Sequence, residues 1–247
     1  MFEEISHRDA LQRWQRTYAR KAWRPRTEFG RGQLCDSRYG GLPWLAPGEN
    51  WPLCGHCRRP LQLLLQLNLA QLPEPEGSGL VQLFYCTNRE TGCEDLCEAH
   101  RPFSAACLAR LVYPDDLAGK GVPRQPREGC TPYSERSIVG WRELPAELPW
   151  FDEAWDLLEV KGTKVDEFWQ EGLDEMPDPS QGDKLGGWPR WILDVDYPIC
   201  PRCQGTMELF FQLAGDHLPL RFGDDGCGWL SRCPDHPDEL AFAWESY

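Results

Sequence analysis

The chain is short of positive charge. Its 26 Lys and Arg face 39 Asp and Glu, a formal net charge of −13 at pH 7. Nucleic acid and anionic membranes both demand a basic face, so neither is expected as a direct partner. Long apolar runs are also lacking. No segment approaches the roughly 20 consecutive apolar residues of a spanning helix. Met1 to Ala10 is charged and carries no apolar stretch of the roughly 7–15 residues that a secretory signal needs. A cytoplasmic location is the expectation. Catalytic patterns are missing too: there is no Ser/His/Asp set, no phosphate-binding Gly loop and no His-Glu-x-x-His helix. Asp224 and Asp225 are adjacent in a Gly-bounded turn, and the turn alone accounts for Gly and Asp there. No catalytic residue is assigned, and an enzyme is not expected.

Cysteine is plentiful, at 12 in 247 residues, and the 12 Trp and 10 Phe supply bulk for a sizeable core. In a reducing compartment such cysteines read as metal ligands and buried thiols; an exported chain would instead use them as disulfides. A Cys-x-x-Cys pair occurs twice, as Trp51-Pro-Leu-Cys54-Gly-His-Cys57 and Tyr197-Pro-Ile-Cys200-Pro-Arg-Cys203, at an offset of 146 residues. The same offset carries Gly40-Gly-Leu-Pro43 onto Gly186-Gly-Trp-Pro189, and Leu63, Gln66 and Leu67 onto Leu209, Gln212 and Leu213. One structural unit used twice is the expectation, each copy holding a metal.

Zinc takes thiolate and imidazole tetrahedrally, and a Cys-x-x-Cys turn supplies one edge of the tetrahedron. In the first copy, Cys54 and Cys57 are joined by Cys86 at the end of a strand and by Cys93, with Cys97 as its competitor. In the second, Cys200 and Cys203 are joined by Cys233 and by His236, with Cys227 as its competitor. Four protein ligands make a closed, structural site. Two structural zinc ions are therefore the expected cofactors. Cys35, Cys107 and Cys130 are left as core or surface thiols. His56 is expected to be exposed within the first knuckle, and His7, His100 and His217 to be ordinary surface or capping residues.

The fold class expected is α+β with sheets dominant: two pseudo-symmetric sheet-rich repeats in one body. Residues 1–34 form an N-terminal helical segment, with a helix over about Ser6–Ala22. Residues 35–113 form the first repeat. In it Leu61–Leu69 is a strand whose outer positions are Gln and Asn; Leu80–Tyr85 and Ala109–Tyr113 follow. Residues 114–183 connect the repeats. Their second part, Glu143–Asp183, holds 13 Asp or Glu against two Lys. Apolar residues interleaved with these acids predict two short amphipathic helices, Phe151–Val160 and Lys164–Leu173. Residues 184–247 form the second repeat, with strands over Met207–Leu213, Gly228–Cys233 and Glu239–Trp244.

With the Gly-Gly-x-Pro, Trp-Pro-x-Cys-x-x-Cys, Leu-Gln-Leu and Phe-Gly-Asp-x-Gly elements assembled, the chain resembles the YwqG-like family of bacterial proteins over about Gly40–Trp244. Its Cys-x-x-Cys halves also look like the programmed-cell-death-2 group, which is associated with chaperoning of ribosomal proteins. Many YwqG-like members lack the cysteines, which implies that metal chemistry is not their function. Such domains also occur beside bacterial toxins, which implies an immunity role. The resemblance carries no catalytic residues.

Acidity and resemblance together predict a protein-binding module, in its sharp form an immunity protein that blocks a basic toxin acting on nucleic acid. The expected contact surface lies in the acidic segment: Trp150, Asp152, Glu153, Trp155, Asp156, Glu159, Asp166, Glu167, Trp169 and Glu171, with the tryptophans as anchors. For any single Trp the core competes with that role. A chaperone or adaptor for a basic client, such as a ribosomal protein, is the second expectation.

Overall fold

The computed structural model describes residues 7–30, 32–90, 92–115, 130–160, 172 and 176–247. Helix α1 (His7–Tyr18) leads into strand β1 (Ala22–Phe29), then β2 (Arg38–Tyr39) and β3 (Gln62–Asn68), which ends in a 3-10 turn (Leu69–Gln71). Next come β4 (Leu80–Tyr85), the short helix α2 (Cys93–Leu96), β5 (Cys107–Val112) and β6 (Arg136–Glu143). Helix α3 (Phe151–Val160) precedes β7 (Lys184–Gly186), β8 (Glu208–Leu213), β9 (Cys227–Arg232) and β10 (Leu240–Glu245). The ten strands form one sheet in the order β10-β9-β8-β7-β1-β6-β2-β3-β4-β5. The fold is α+β with a large antiparallel sheet that nearly closes into a barrel, because its end strands β5 and β10 lie against each other. No helix among the described residues is long and apolar enough to cross a membrane.

The centre of the sheet is where the expected segments give way. β1 lies in the stretch expected to be helical, and β6 lies in the stretch expected only to connect. The helix stops at Tyr18, not Ala22, because Ala22 and Trp23 pair with Gly186 and Leu185 of β7. Pro25, at the middle of β1, has no N–H to continue a helix. β1 runs antiparallel to β6 from Trp23 opposite Glu143 to Phe29 opposite Arg136. β6 in turn pairs with β2, Arg38 opposite Ser137. The strand that precedes β2 in the chain therefore lies against β7, and the strand that precedes β7 lies against β2.

β3 also departs from expectation. All seven of its residues are buried, so Gln62, Gln66 and Asn68 do not face solvent. Buried amides must find partners, and these hold the loops in place. Gln66 Nε2 donates to the carbonyls of Leu34 (2.9 Å) and Asp36 (3.0 Å), and its Oε1 accepts from Trp44 N (3.0 Å). The same bonds recur 146 residues on: Gln212 Nε2 donates to Ser180 O (3.1 Å) and Gly182 O (2.9 Å), and Oε1 accepts from Arg190 N (2.9 Å). A bulge interrupts β3 against β4 at Leu63/Leu65, and β8 against β9 at Leu209/Phe211.

Two buried ion pairs flank the centre. Arg38 Nη1 meets Glu135 at 2.9 Å, and Lys184 Nζ meets Glu147 at 2.5 Å. Lys184, fully buried, also donates to Trp188 O (2.6 Å), and Glu147 accepts from Ser180 N and Trp188 N, both at 2.9 Å. Each acid sits over a Gly-Gly turn. Gly41 (φ +70°) and Gly187 (φ +73°) are left-handed, and a Cβ there would strike Glu135 Oε2 and Glu147 Oε2. The repeated Gly-Gly is thus the space that the ion pairs require.

The main core runs from β2–β5 across to Phe210, Phe211, Leu230, Phe242 and Trp244 of the second arm. At the closing seam Trp244 Nε1 donates to Tyr85 OH (3.1 Å), and Trp244 N–H donates to the carbonyl of His100 (3.0 Å). The His100 ring stands edge-on to Trp244 at 6.0 Å. His100 is therefore a seam residue. His217 is half-buried, with its ring 4.9 Å from that of the buried Tyr39.

Removing one partner of a buried pair leaves a bare charge, at a cost of about 3–5 kcal/mol, whereas exposed pairs contribute about 0–1 kcal/mol. Glu147→Ala is expected to lower unfolding free energy by the first amount, and Arg202→Ala, which breaks the exposed pair with Asp238, by no more than the second. Denaturant titration of both variants checks this.

Candidate metal centres

Each Cys-x-x-Cys pair sits at the tip of a tight knuckle. Leu53 bridges Pro60, and Ile199 bridges Thr206. Within the first, Cys54 N donates to Arg59 O (2.8 Å), Arg58 N to Cys54 O (3.1 Å) and Leu61 N to Pro52 O (2.9 Å). Within the second, Cys200 N donates to Gly205 O, Gln204 N to Cys200 O and Met207 N to Pro198 O, all at 2.9 Å. Arg58 (φ +59°) and Gln204 (φ +61°) take the left-handed turn at the same place in each. These bonds aim the two sulfurs of each knuckle to the same side.

The remaining donors come from strand ends. Cys86 follows β4 and is fixed by its N–H to Ala106 O (2.8 Å), while Gly55 N–H to Ala105 O (2.8 Å) draws the same loop over the knuckle. Cys93 opens α2 after the left-handed Gly92. Cys233 follows β9, and His236 lies three residues on. The donor atoms of Cys54, Cys57, Cys86 and Cys93 all lie within 4.8 Å of one another, as do those of Cys200, Cys203, Cys233 and His236. All eight residues singled out in the sequence are thus gathered, four and four. Cys97 and Cys227 fall outside the two groups.

The spacing can be tested against an ion. A tetrahedral zinc with sulfur at about 2.3 Å puts its ligands about 3.8 Å apart. The separations are 3.9 Å for Cys54–Cys93 and 3.7 Å for Cys57–Cys86. In the second group they are 3.6 Å for Cys203–Cys233, 3.8 Å for Cys200 Sγ–His236 Nδ1 and 3.7 Å for Cys233 Sγ–His236 Nδ1. Both donor sets fit a four-coordinate ion of that size. The first is the more enclosed, with three of its four cysteines buried; in the second Cys203 is exposed.

The thiols are not equivalent. Burial opposes ionisation of Cys57, but the Arg59 N–H and the neighbouring Asn88, Cys93 and Cys86 outweigh it and hold the thiol at about 6. Cys200 is held at about 7 against the same opposition, by the N–H groups of Cys203 and Arg202 and by the thiols of Cys233 and Cys203. Burial pushes Cys54, Cys86 and Cys233 up. Each group thus contains one thiol that its surroundings favour in the ionised, metal-ligating form.

The expected partner surface is drawn in differently. Asp152 and Asp156 are exposed on α3. Glu153 is buried, accepting from Tyr197 OH (2.6 Å) and Trp191 Nε1 (3.4 Å), so it cannot meet a partner. Trp150 and Trp155 are half-buried and pack inward, Trp150 beside Trp191 and Trp229, Trp155 beside Trp14 and Leu158. The side chain of Glu159, together with Asp166, Glu167, Trp169, Glu171 and most of the helix expected over Lys164–Leu173, lies outside the described residues.

A further acid was not anticipated. Asp183 is 1 % exposed. Its Oδ1 accepts from Ala214 N (2.7 Å), and its backbone N–H donates to Asp216 Oδ2 (2.8 Å). Its carboxyl and the Tyr39 hydroxyl are both buried, and each shifts the ionisation of the other. Burial, and then the Asp216 charge, raise Asp183 to about 7. Asp183 is absent from the lining of the cavity of about 540 Å³ that Asp216, Arg190, Arg221 and Trp191 border.

The model of the family described as "Domain of unknown function (DUF1963)" matches residues 37–230. The chain belongs to the DUF1963 family. This is the YwqG-like family that the motifs resemble, and the matched span takes in all of the first donor group and the Cys200–Cys203 knuckle of the second. The chain is also similar to the "Uncharacterized protein YpfL" of Salmonella typhimurium, at 36% identity over 56 residues. That alignment covers 23% of this chain, and the chain spans only 13% of that relative's length.

Two outcomes are expected. Cys54→Ser and Cys200→Ser each lower the metal content of the purified protein by about one ion per chain and lower its thermal midpoint, because binding free energy here is folding free energy. Elemental analysis beside calorimetry checks this; a variant with full metal and an unchanged midpoint refutes the donor assignment. For Asp183, the folded-state value is raised, so its contribution to stability is complete below about pH 4 and falls away as pH rises towards about 7. Asp183→Asn is expected to flatten that decline and to stabilise the protein above pH 7, by about 1.4 kcal/mol for every tenfold loss of acidity that folding imposes on the carboxyl. Denaturant titration of both proteins across that pH range checks it.

Proposed function

We propose that this DUF1963 protein is a protein-binding module built from one unit used twice, each copy pinned by a structural zinc. Its partner is a basic protein, which it binds as an inhibitor or immunity factor. The observation that carries this reading is the pair of four-donor groups. With every position of a tetrahedral ion supplied by the chain, no coordination position is left for substrate or water, which is the arrangement of a structural site. Binding, and not catalysis, is then the work of the surface. The recurrence of the knuckle bonds, the Gln contacts and the bulges at one 146-residue spacing supports the two-copy reading.

The net charge of −13 supports a basic partner, since charge complementarity speeds encounter and suppresses wrong partners. On α3 the apolar face is occupied by α1, through Trp14, Ala154 and Leu158, and the exposed acids Asp152 and Asp156 point the other way. Asp152 and Asp156 are the acids of the expected surface that support this reading, while Glu153, Trp150 and Trp155 turn inward.

The test begins with recovery of the tagged protein from its own cells and purification of the protein that accompanies it. A single stoichiometric basic toxin supports inhibition; ribosomal proteins support the chaperone reading instead. Asp152→Lys with Asp156→Lys is expected to leave stability within about 0.5 kcal/mol and to slow association with the recovered protein by about tenfold or more at low salt. An unchanged association rate removes α3 from the interface.

A further inference from the structure

We propose that Cys97 is a reserve ligand of the first metal centre, able to take the coordination position of Cys93. The inference rests on the zinc reading above and extends it to the dynamics of one site. Cys93 and Cys97 are four residues apart on the single turn of α2, and residues so spaced share a helix face. The turn is intact between them: Cys97 N–H donates to Cys93 O at 3.2 Å. Cys97 is half-buried and packs, with Cys57, against the core cluster that contains Cys54, Cys86 and Cys93. The charges that act on it are those of Cys93 and Cys57, two of the four donors.

Cys97 caps α2 at φ −106°, ψ 6°, outside the helical range, and Glu98 beyond it is left-handed at φ +46°. Ser104 Oγ donates to the Cys97 carbonyl at 2.7 Å, which anchors the main chain, and the thiol is a hydrogen-bonding neighbour of Cys93. Among the described residues no further cysteine stands in this relation to the second centre. Cys227, the other thiol of that arm, sits in a separate cluster with Trp191, Leu209 and Trp229, and donates to the carbonyl of Gly228.

The exchange is balanced within the chain. The bond from the ion to Cys93 Sγ breaks, a bond to Cys97 Sγ forms, and the Cys97 proton passes to Cys93. Coordination number and net charge are unchanged. The first centre can then survive the loss of Cys93, though not of Cys54, Cys57 or Cys86, and can release its ion stepwise, whereas the second cannot.

The test is zinc stoichiometry and release in the full chain. Wild type is expected to hold two zinc ions, Cys93→Ser still two, and the Cys93→Ser/Cys97→Ser double variant one. Wild type with two ions and Cys93→Ser with one overturns the inference and leaves the zinc reading intact. Wild type without zinc overturns that reading, and this inference with it. Folding of Cys93→Ser is bypassed by Cys97→Ser, which keeps all four donors. Release of zinc to the chelator 4-(2-pyridylazo)resorcinol is expected to occur in two phases in wild type. Cys97→Ser slows the faster phase severalfold and leaves the slower one unchanged. Identical release from Cys97→Ser and wild type overturns the proposal.

Discussion

The antiparallel pairing of β1 with β6 is the constraint on which the rest of this fold depends. Each arm of the sheet receives its innermost strand from the stretch of chain that leads into the other arm. Neither arm can complete its hydrogen-bond ladder alone, because β7 needs β1 and β2 needs β6. The buried cations at Arg38 and Lys184 stand beside this crossing, each held by an acid from β6 or its flanks. The two candidate metal centres lie away from this crossing, each on a knuckle that leads into β3 or β8.

This division of labour explains what the sequence made legible. A Cys-x-x-Cys knuckle closes on itself within eight residues, from Leu53 to Pro60, so its physics is local and its pattern can be read directly. The strand-end donors Cys86 and Cys233 followed from periodicity, and Cys93 and His236 from proximity. β8 and β10 were legible as apolar runs. β1 was not. Its residues, Ala-Trp-Arg-Pro-Arg-Thr-Glu-Phe, carry charge and a proline, and only two of the eight are buried. Its strand character comes from Glu143 and its neighbours, more than a hundred positions away. β6 was hidden for the related reason that its residues, Arg-Ser-Ile-Val-Gly-Trp-Arg-Glu, are charged at both ends and carry a glycine in the middle. Tertiary pairing overrides local preference in both.

The acidic segment shows the opposite failure. Its composition pointed outward, yet Glu153 is the hydrogen-bonded floor for Tyr197 and Trp191, and Trp155 fills the space between helices. Charge counted along a sequence does not distinguish an acid that faces water from one that accepts buried donors. The repeated Gln residues show the same ambiguity: alternation identified β3 and β8 as strands, but could not reveal that the amides are spent on the loops behind them.

The seam at His100 has a consequence for how the protein behaves among its own copies. A strand at the margin of a sheet offers unpaired N–H and C=O groups to any other chain, and proteins shield such margins to stay apart. Here the shield over β10 is a stretch of the loop between Cys93 and β5, whose His100 carbonyl engages Trp244 N–H. That loop begins at Cys93, one of the four donors of the first group. The donor group of one arm and the cover over the margin of the other thereby share a single loop, so what holds the first in place also holds the second.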